Sequence, residues 1–521
     1  DLDPVGPADG PRIGLVTLGC DKNTVDSEHM MAALVGHGAR VSSDVQGSDV
    51  VIVNTCGFIE AAKEQSIETI LEACDLKTTG DVKAVVAVGC MVQRYKEEMA
   101  REIPEVDLFL GLTDLAELVP SLRTRGLLPE SDTPIPTMER PLRILASETP
   151  HTSFLKISEG CDHTCAFCAI PLMRGLHRSA PLADLVREAQ ALNAQGVKEL
   201  NIISQDTTWY GRDRRRSDPG APLLPDLLEA LLANTDIPWF RLFYMYPSGI
   251  TRKLVEILAS ESRLLPYLDM PLQHGSDAIL EAMRRPERRA TIRERVRWLR
   301  DAIPHLTLRT TVIVGFPGET EEDFQDLVNL LEELRFDRVG AFNYSAEEGT
   351  AAADMAGQVP EEVKAERLEA LMDVQREISF ELNLSQVGRR TIALVDRVVE
   401  DDPEFPFQAR IETQAILHRG LPADGCYGRG HFFNPVFHST QQINVSGRAG
   451  RGDLPSREHQ SAFEHKPVRI GRMTQAVEEA FQGKALQQFV EGAAGIAGVV
   501  EKALVDGGRH VAGHSRVSRY G

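Results

Sequence analysis

The sequence predicts an α/β protein in which a parallel α/β domain is followed by a larger (βα)-type barrel, complete or partial. Three observations carry this. The chain has 521 residues, too many for one ordinary core, so two to four domains are expected. Runs rich in β-branched residues and leucine alternate with helical patterns, first three times and then six. Cysteine, glycine and polar residues gather just after those runs, where parallel α/β sheets build their sites.

The N-terminal alternation comes first. "RIGLVTLGC", "DVVIVNTCGF" and "AVVAVGC" are strand-like runs that close on Cys20, Cys56 and Cys90, and "VDSEHMMAALVGHG" and "EAAKEQSIETILEACDL" between them are helical. This reads βαβαβα, a parallel sheet with right-handed crossovers. Parallel strands share one C-terminal edge, so three cysteines far apart in sequence fall on one edge and can form a three-thiolate cluster. The plainer reading is three small buried hydrophobes. Cys74 lies within the second helical pattern and is expected in the core, and Cys426 has no partner pattern.

The second alternation is longer. "TSFLKIS", "KELNIIS", "WFRLFYM", "PYLDM", "LTLRTTVIV" and "DRVGAFNY" are six strand-like runs, each followed by a polar or glycine-rich turn. "PLADLVREAQALNAQG" and "EEDFQDLVNLLEELR" are helical patterns in the gaps. Six βα units fit a barrel or incomplete barrel with its site at the C-terminal mouth.

Composition narrows the class. The net charge of −20 disfavours broad contact with phosphate backbones and favours a basic partner. No run of about 18 apolar residues points to a membrane span. The start, "DLDPVGPADG", lacks the basic and apolar segments of a secretory signal. Eight cysteines in so long a chain point to metal ligation or reactive thiols in a reducing cytoplasm, not a disulfide framework.

The stretch "KISEGCDHTCAFCAIP" sets Cys161, Cys165 and Cys168 within one tight loop. Thiolates are soft ligands that favour zinc, copper(I) and iron–sulfur clusters. Structural zinc normally takes four ligands; His163 is the nearest fourth candidate, but its short loop would strain to wrap one ion, and it reads as a polar loop residue. A cubane held by three cysteines leaves one iron open to a small molecule.

The three-cysteine loop, with Phe167 before the last cysteine, resembles the signature of radical S-adenosylmethionine (SAM) enzymes, whose fold is a partial (βα)6 TIM-like barrel. "TLGCDKNTVDSE", "NTCGFIEAAKEQSI" and "VGCMVQRY" resemble the N-terminal domain of methylthiotransferases. "KISEGCDHTCAFCAIPLMRG", "ISQDTTWYG", "YMYP", "LPYLDMPLQHGS" and "LRTTVIVGFPGETEEDF" are similar to the RimO branch. The resemblance covers roughly residues 12–410 and implies two [4Fe–4S] clusters, one on Cys161, Cys165 and Cys168 and one on Cys20, Cys56 and Cys90. It implies SAM as radical source and methyl donor, a sulfur donor, and an electron donor such as flavodoxin or ferredoxin. The implied reaction turns the β-carbon C–H of an aspartyl residue in protein S-twelve of the small ribosomal subunit into C–S–CH3. For SAM, the expected contacts are Phe167, Ser204, Gln205, Arg309, Gly315 and Gly318. In the family Ser-Arg-Pro often follows "MRG"; here "RSAP" puts Ala180 at the arginine position, with Arg178 nearby.

"GRRTIALVDRVVEDDPEFPFQARIET" resembles the start of a TRAM domain, a small C-terminal β-barrel. Residues 387–415 hold Asp396, Glu400, Asp401, Asp402, Glu404 and Glu412 against Arg389, Arg390, Arg397 and Arg410, which favours a basic protein partner over RNA; a solvated loop is the plainer reading. "GRDRRRSDPG" reads as a solvated basic loop with direct RNA contact as its rival. "SGRAGRGDLPSREHQ" reads as a linker. The expected layout is 10–130 N-terminal domain, 147–384 radical SAM core, 387–450 TRAM-like domain, and an unassigned tail at 451–521. The rival functions are a tRNA adenosine methylthiotransferase and a non-enzymatic iron–sulfur or zinc scaffold.

Overall fold

The computed structural model describes residues 4–130, 143–146, 149–386, 391–398 and 407–421. These all fall in one compact unit spanning 1–444. Strands β1 (Arg12–Thr17), β2 (Arg40–Ser42), β3 (Val50–Thr55), β4 (Ala84–Gly89) and β5 (Leu108–Leu110) make a sheet in the order β2-β1-β3-β4-β5. Every pair in it is parallel. Helices α1 (Asp21–Gly36), α2 (Glu60–Thr78), α3 (Cys90–Glu102) and α4 (Leu118–Thr124) complete this layer. Alternate residues of β3 and β4 serve two cores: Val50, Ile52, Ala84, Val86 and Val88 on one face, and Val51, Val53, Val85 and Ala87 on the other. Burial on both faces is why these strands read as unbroken apolar runs. The two strands that the alternation did not predict, β2 and β5, are three residues each and flank the predicted three.

The second sheet holds β6 (Thr152–Lys156), then, after a two-stranded hairpin of β7 (Ser158–Glu159) and β8 (Arg178–Ser179), β9 (Glu199–Ile203), β10 (Trp239–Leu242), β11 (Leu264–Asp269), β12 (Thr307–Val314) and β13 (Arg338–Asn343). Its order is β13-β12-β11-β10-β9-β6, all parallel, with β13 and β6 as open edges. This is a partial (βα)6 barrel, and each of its strands coincides with one of the six predicted runs. Helices α5 (Ile170–Arg174), α6 (Leu182–Ala194), α7 (Leu224–Asn234), α8 (Arg252–Ser260), α9 (Asp277–Ala282), α10 (Arg289–Ala302) and α11 (Glu321–Leu334) lie between the strands. Along β12, Leu308, Val312 and Val314 enter the core under the helices, while Arg309 and Thr311 are half-buried. The two-residue period of a strand turns those two toward the barrel interior.

After α12 (Glu361–Leu384) come β14 (Ala393–Val398), β15 (Phe407–Ile411) and β16 (Gln414–Leu421), a three-stranded antiparallel sheet. It sits under the barrel. Arg410 binds Glu199 at the start of β9 (2.5 Å), and Asp396 takes Arg410 (2.7 Å) and His151 (2.7 Å). Asp396, one of the six acids expected to favour a basic partner, is therefore spent inside the protein. Glu400, Asp401, Asp402, Glu404, Arg389 and Arg390, with Cys426, the linker and the tail, lie outside the described residues. Among the described residues, no helix is long and apolar enough to cross a membrane.

Candidate active site

Because β1, β3 and β4 are neighbours in the sheet, Cys20, Cys56 and Cys90 leave three adjacent strand ends. Cys20 precedes α1 and Cys90 opens α3. The approach is close enough that a Cβ on Gly19 would stand 3.0 Å from Cys56 Sγ, and one on Gly57 would stand 2.9 Å from Met91 Cα. Asn23 ties the three segments together. Its amide donates to Leu18 O (2.7 Å) and Thr55 O (3.0 Å), and its carbonyl oxygen lies 3.6 Å from Cys90 Sγ. From α2, Ser66 clamps Cys56, accepting from its N–H (3.0 Å) and donating to its carbonyl (2.9 Å). Gly89, with φ +102° and ψ −158°, turns the chain into Cys90 through a region that only glycine adopts freely. A Cβ there would meet Asn54 Oδ1 at 2.4 Å and Thr55 O at 2.7 Å. Gly89→Ala is expected to cost about 3 kcal/mol, read as a lower denaturant midpoint with an unchanged slope.

The second trio sits in a loop closed by the β7–β8 hairpin. Cys161 N–H donates to Gly175 O (3.0 Å), and Cys168 N–H to Cys165 O (3.1 Å). Cys165 Sγ lies 3.7 Å from the Tyr246 hydroxyl and 3.9 Å from an Arg285 guanidinium nitrogen. Tyr246 is the centre of a stack. His163 lies parallel to it with ring centroids 4.3 Å apart, and Arg285 covers it at 3.7 Å. His163 Nε2 is held by Asp206 at 2.7 Å, and Asp206 is in turn fixed by Thr208 N–H (2.9 Å) and Oγ1 (2.6 Å). Asp206 thus holds the His163 ring against the face of Tyr246.

The two trios meet across α5. Cys90 packs against Ala169 and Met173 on it. Arg174, at its end, reaches Asn23 (2.7 Å) and Asp26 (3.1 Å) on α1 and Glu159 on β7 (2.7 Å). Lys156 completes the network, binding Glu159 (2.7 Å) and Asp26. Sequence spacing gave no sign of this four-charge network or of Asn23, beyond their lying in the resembling motifs.

The thiols differ in exposure: Cys20 is open, Cys56 and Cys168 are half-buried, and Cys90, Cys161 and Cys165 are buried. Ala169 and Met173 of α5 cover Cys90, and Tyr246 and Arg285 lie over Cys165. Burial pushes Cys90, Cys161 and Cys168 up to about 12. A buried thiol loses that proton when a metal takes the sulfur. Two sets of three soft donors fit iron–sulfur ligation. Among the described residues, no three His, Cys, Asp or Glu side chains are grouped to hold a single metal ion.

The remaining predicted residues spread around the barrel mouth. Phe167 packs beside Ala166, Phe316 and Tyr344. Ser204 is buried with an unpartnered hydroxyl, and Gln205 beside it is half-buried. Gly315 has φ +73°, and its N–H donates to Glu319 Oε2 (2.9 Å). A Cβ there would meet Lys364 Cγ at 2.3 Å, so glycine at 315 serves this packing. Gly318 (φ +85°) has open space beside it. Arg309 faces Asp269 at 3.6 Å. Arg178 is exposed on β8, whereas Ala180 packs on the core. In the basic loop, Arg214 donates to Ser179 O (2.8 Å) and Arg215 to Ala221 O (2.9 Å), so these two brace the chain instead of being merely solvated.

Comparison with known proteins agrees with this layout. Residues 12–111 match the uncharacterized protein family UPF0004, and residues 155–331 match the radical SAM superfamily. The ribosomal protein uS12 methylthiotransferase RimO of Anaeromyxobacter sp. (strain K) is 48% identical over 452 residues, which cover 86% of this chain and 94% of that one. RimO of Geobacter sulfurreducens is 43% identical over 408 residues, covering 78% and 90%. A solved radical SAM methyltransferase, TsrM from Kitasatospora setae, is 15% identical with a TM-score of 0.44, over 63% of this chain and 72% of that one. The chain belongs to the RimO methylthiotransferase family and carries a radical SAM domain.

Proposed function

We propose that this chain replaces a β-carbon C–H of an aspartyl residue in the small-subunit ribosomal protein by C–S–CH3. The observation that carries the reading is the meeting of two cysteine trios across α5, Cys90 of one packing directly on the helix that ends the loop of the other. In this reading Cys161, Cys165 and Cys168 hold one [4Fe–4S] cluster, and Cys20, Cys56 and Cys90 hold a second. When bound, the clusters and SAM supply the one-electron chemistry, the sulfur and the methyl group that acid–base side chains cannot.

The chain's own residues do the holding. Asn23, Ser66 and Gly89 fix the three strand-end loops of the first trio. The His163–Tyr246–Arg285 stack backs Cys165. The Arg174–Asp26–Lys156–Glu159 network seals the seam between the sheets against water, which a reactive site requires. Phe167, Ser204, Gln205, Arg309, Gly315 and Gly318 remain the proposed SAM contacts. The proposed layout keeps 10–130, 147–384 and 387–450 as functional segments. An external electron donor such as flavodoxin or ferredoxin and a sulfur donor are required partners, and the cytoplasm is the proposed compartment.

The test is mass spectrometry of a peptide carrying the target aspartate and of tRNA, each incubated anaerobically with reductant, SAM and sulfide. The peptide is expected to gain one methylthio group. A modified tRNA with an unchanged peptide would overturn the reading in favour of the tRNA-modifying rival.

A further inference from the structure

We propose that the basic loop at residues 212–216, with Arg178 and Leu176 beside it, docks a small acidic protein that delivers one electron to the site held by Cys161, Cys165 and Cys168. The inference rests on the function proposed above, which requires such a donor but gives it no place on the surface. The loop sets Arg212, Arg214, Arg215 and Arg216 against Asp213, in a chain whose net charge is −20. Most of such a chain repels an acidic partner, so a local positive surface decides where that partner lands and how fast.

The loop is tied to the cysteine loop. Asp213 accepts from Ser179 N–H (2.9 Å) and Oγ (2.6 Å), and Arg214 donates to Ser179 O (2.8 Å). Ser179 lies on β8, where Arg178 precedes it and pairs with Glu159 of β7 in the backbone register. Arg216 faces Asp162, the residue after Cys161, at 3.6 Å, and the other oxygen of Asp162 accepts from His177 N–H (2.9 Å). That contact leaves 77% of the Arg216 side chain exposed, and a pair so open to water binds weakly. Arg178 and Arg215 are exposed and Arg212 is half-buried, and among the described residues these three form no ion pair. Leu176 is 70% exposed, more than any other large apolar side chain among the described residues. A Cβ on Gly160 would stand 2.2 Å from Leu176 O, so the leucine backbone lies against the residue that precedes Cys161. An open leucine rimmed by arginines suits a protein interface. A phosphate backbone has no apolar surface to cover it, and the overall charge of the chain opposes nucleic acid.

From this surface a run of stacked groups leads inward. Arg212 covers the Trp209 ring at 4.7 Å, and Trp209 meets His163 edge-on with centroids 5.0 Å apart. His163 lies on Tyr246, whose hydroxyl is 3.7 Å from Cys165 Sγ. Cys165 is buried, so a docked protein cannot touch it and the electron has to cross intervening side chains. Tunnelling weakens steeply with distance, and more steeply across gaps than through packed atoms, so a continuous stack favours entry here. One electron passes inward, the donor leaves oxidised by one electron, and no atom or proton changes hands.

The test titrates wild-type holoenzyme and three double variants with oxidised flavodoxin, an acidic one-electron carrier, and separately with tRNA. The variants are Arg178→Glu/Arg216→Glu, Arg178→Lys/Arg216→Lys and, as the same change of charge placed elsewhere on exposed arginines, Arg101→Glu/Arg376→Glu. R178E/R216E is expected to weaken flavodoxin binding by about 30-fold, while R178K/R216K and R101E/R376E stay within about threefold of wild type. Wild-type binding is expected to weaken about tenfold between about 50 mM and about 300 mM salt. In R178E/R216E, SAM cleavage driven by limiting reduced flavodoxin should fall with the binding. Cleavage driven by dithionite, which needs no docking, should stay within about twofold and so reports a folded, loaded protein. Flavodoxin binding that is absent in wild type, equal in R178E/R216E, or lowered as much by R101E/R376E overturns the inference. Loss of tRNA binding in R178E/R216E with flavodoxin binding intact assigns the loop to RNA instead. A wild type that cleaves no SAM even with dithionite sinks the proposed function, a result distinct from a loss confined to flavodoxin.

Discussion

Cys165→Ala, purified without oxygen, is expected to carry about half the iron and sulfide of the parent, about four irons instead of about eight, and to cleave no SAM. Cys165 is the middle cysteine of its loop, between the Tyr246 hydroxyl and Arg285. The loop's closure does not depend on it, because Gly175 and Met283 carbonyls hold the N–H groups of Cys161 and Ala166 (both 3.0 Å). The substitution therefore removes the thiol of a proposed ligand without opening the fold. Cys90→Ala is the complementary case: it should also halve the iron but leave SAM cleavage in place while abolishing methylthio transfer. Cys74→Ala is the control. Cys74 is buried in α2 among Val51, Ile70 and Ala73, so it should cost about 1–2 kcal/mol of packing and no iron. Full iron in C165A would refute the cluster assignment, and zinc without sulfide in the parent would favour a scaffold.

Much of this was legible before any coordinates. Strands β1, β3 and β4 and the six barrel strands showed as runs because the cores on the sheet faces fill them largely with β-branched residues and leucine, among which Glu199, Arg241 and Arg309 are exceptions. Parallel topology then placed Cys20, Cys56 and Cys90 on one edge. What stayed hidden has a common physical cause: it depends on contacts between segments far apart in sequence, made by α1, α3 and α5. Lys22 is an unremarked lysine in "GCDKNT" until Tyr244 appears under it. Arg309 was expected to contact SAM, and the sequence did not reveal Asp269 beside it on the neighbouring strand. Arg174 carried no periodic signal. The acidic count in 387–415 misled because a total of charges does not say which ones face inward, as Asp396 does against Arg410 and His151.

Arg174→Met is expected to lower stability by about 3–5 kcal/mol, the largest effect of any single change outside the cysteines. The reason is arithmetic of charge in a dry seam. Arg174 and Lys156 balance Asp26 and Glu159, and the side chain of Arg174 is 1% exposed. Methionine fills similar volume but leaves two carboxylates sharing one lysine. Burial works to raise the Glu159 carboxyl, yet Lys156 and Arg174 outweigh it and hold the group well below its ordinary 4.5. A depressed carboxyl stabilises the fold above its unfolded value and loses that contribution as pH falls toward the folded one. The parent should therefore lose stability progressively below about pH 4.5, and R174M, with less depression to lose, should show a flatter acid limb. Adding Asp26→Asn to R174M removes the excess negative charge and should recover about 1–3 kcal/mol, a coupling visible in a double-mutant cycle. Urea titrations at pH 7 and pH 4 would measure all three quantities. Additive losses from the two substitutions would show that the seam is held by packing alone, and that Arg174 is not the ion that joins the two cysteine-bearing halves.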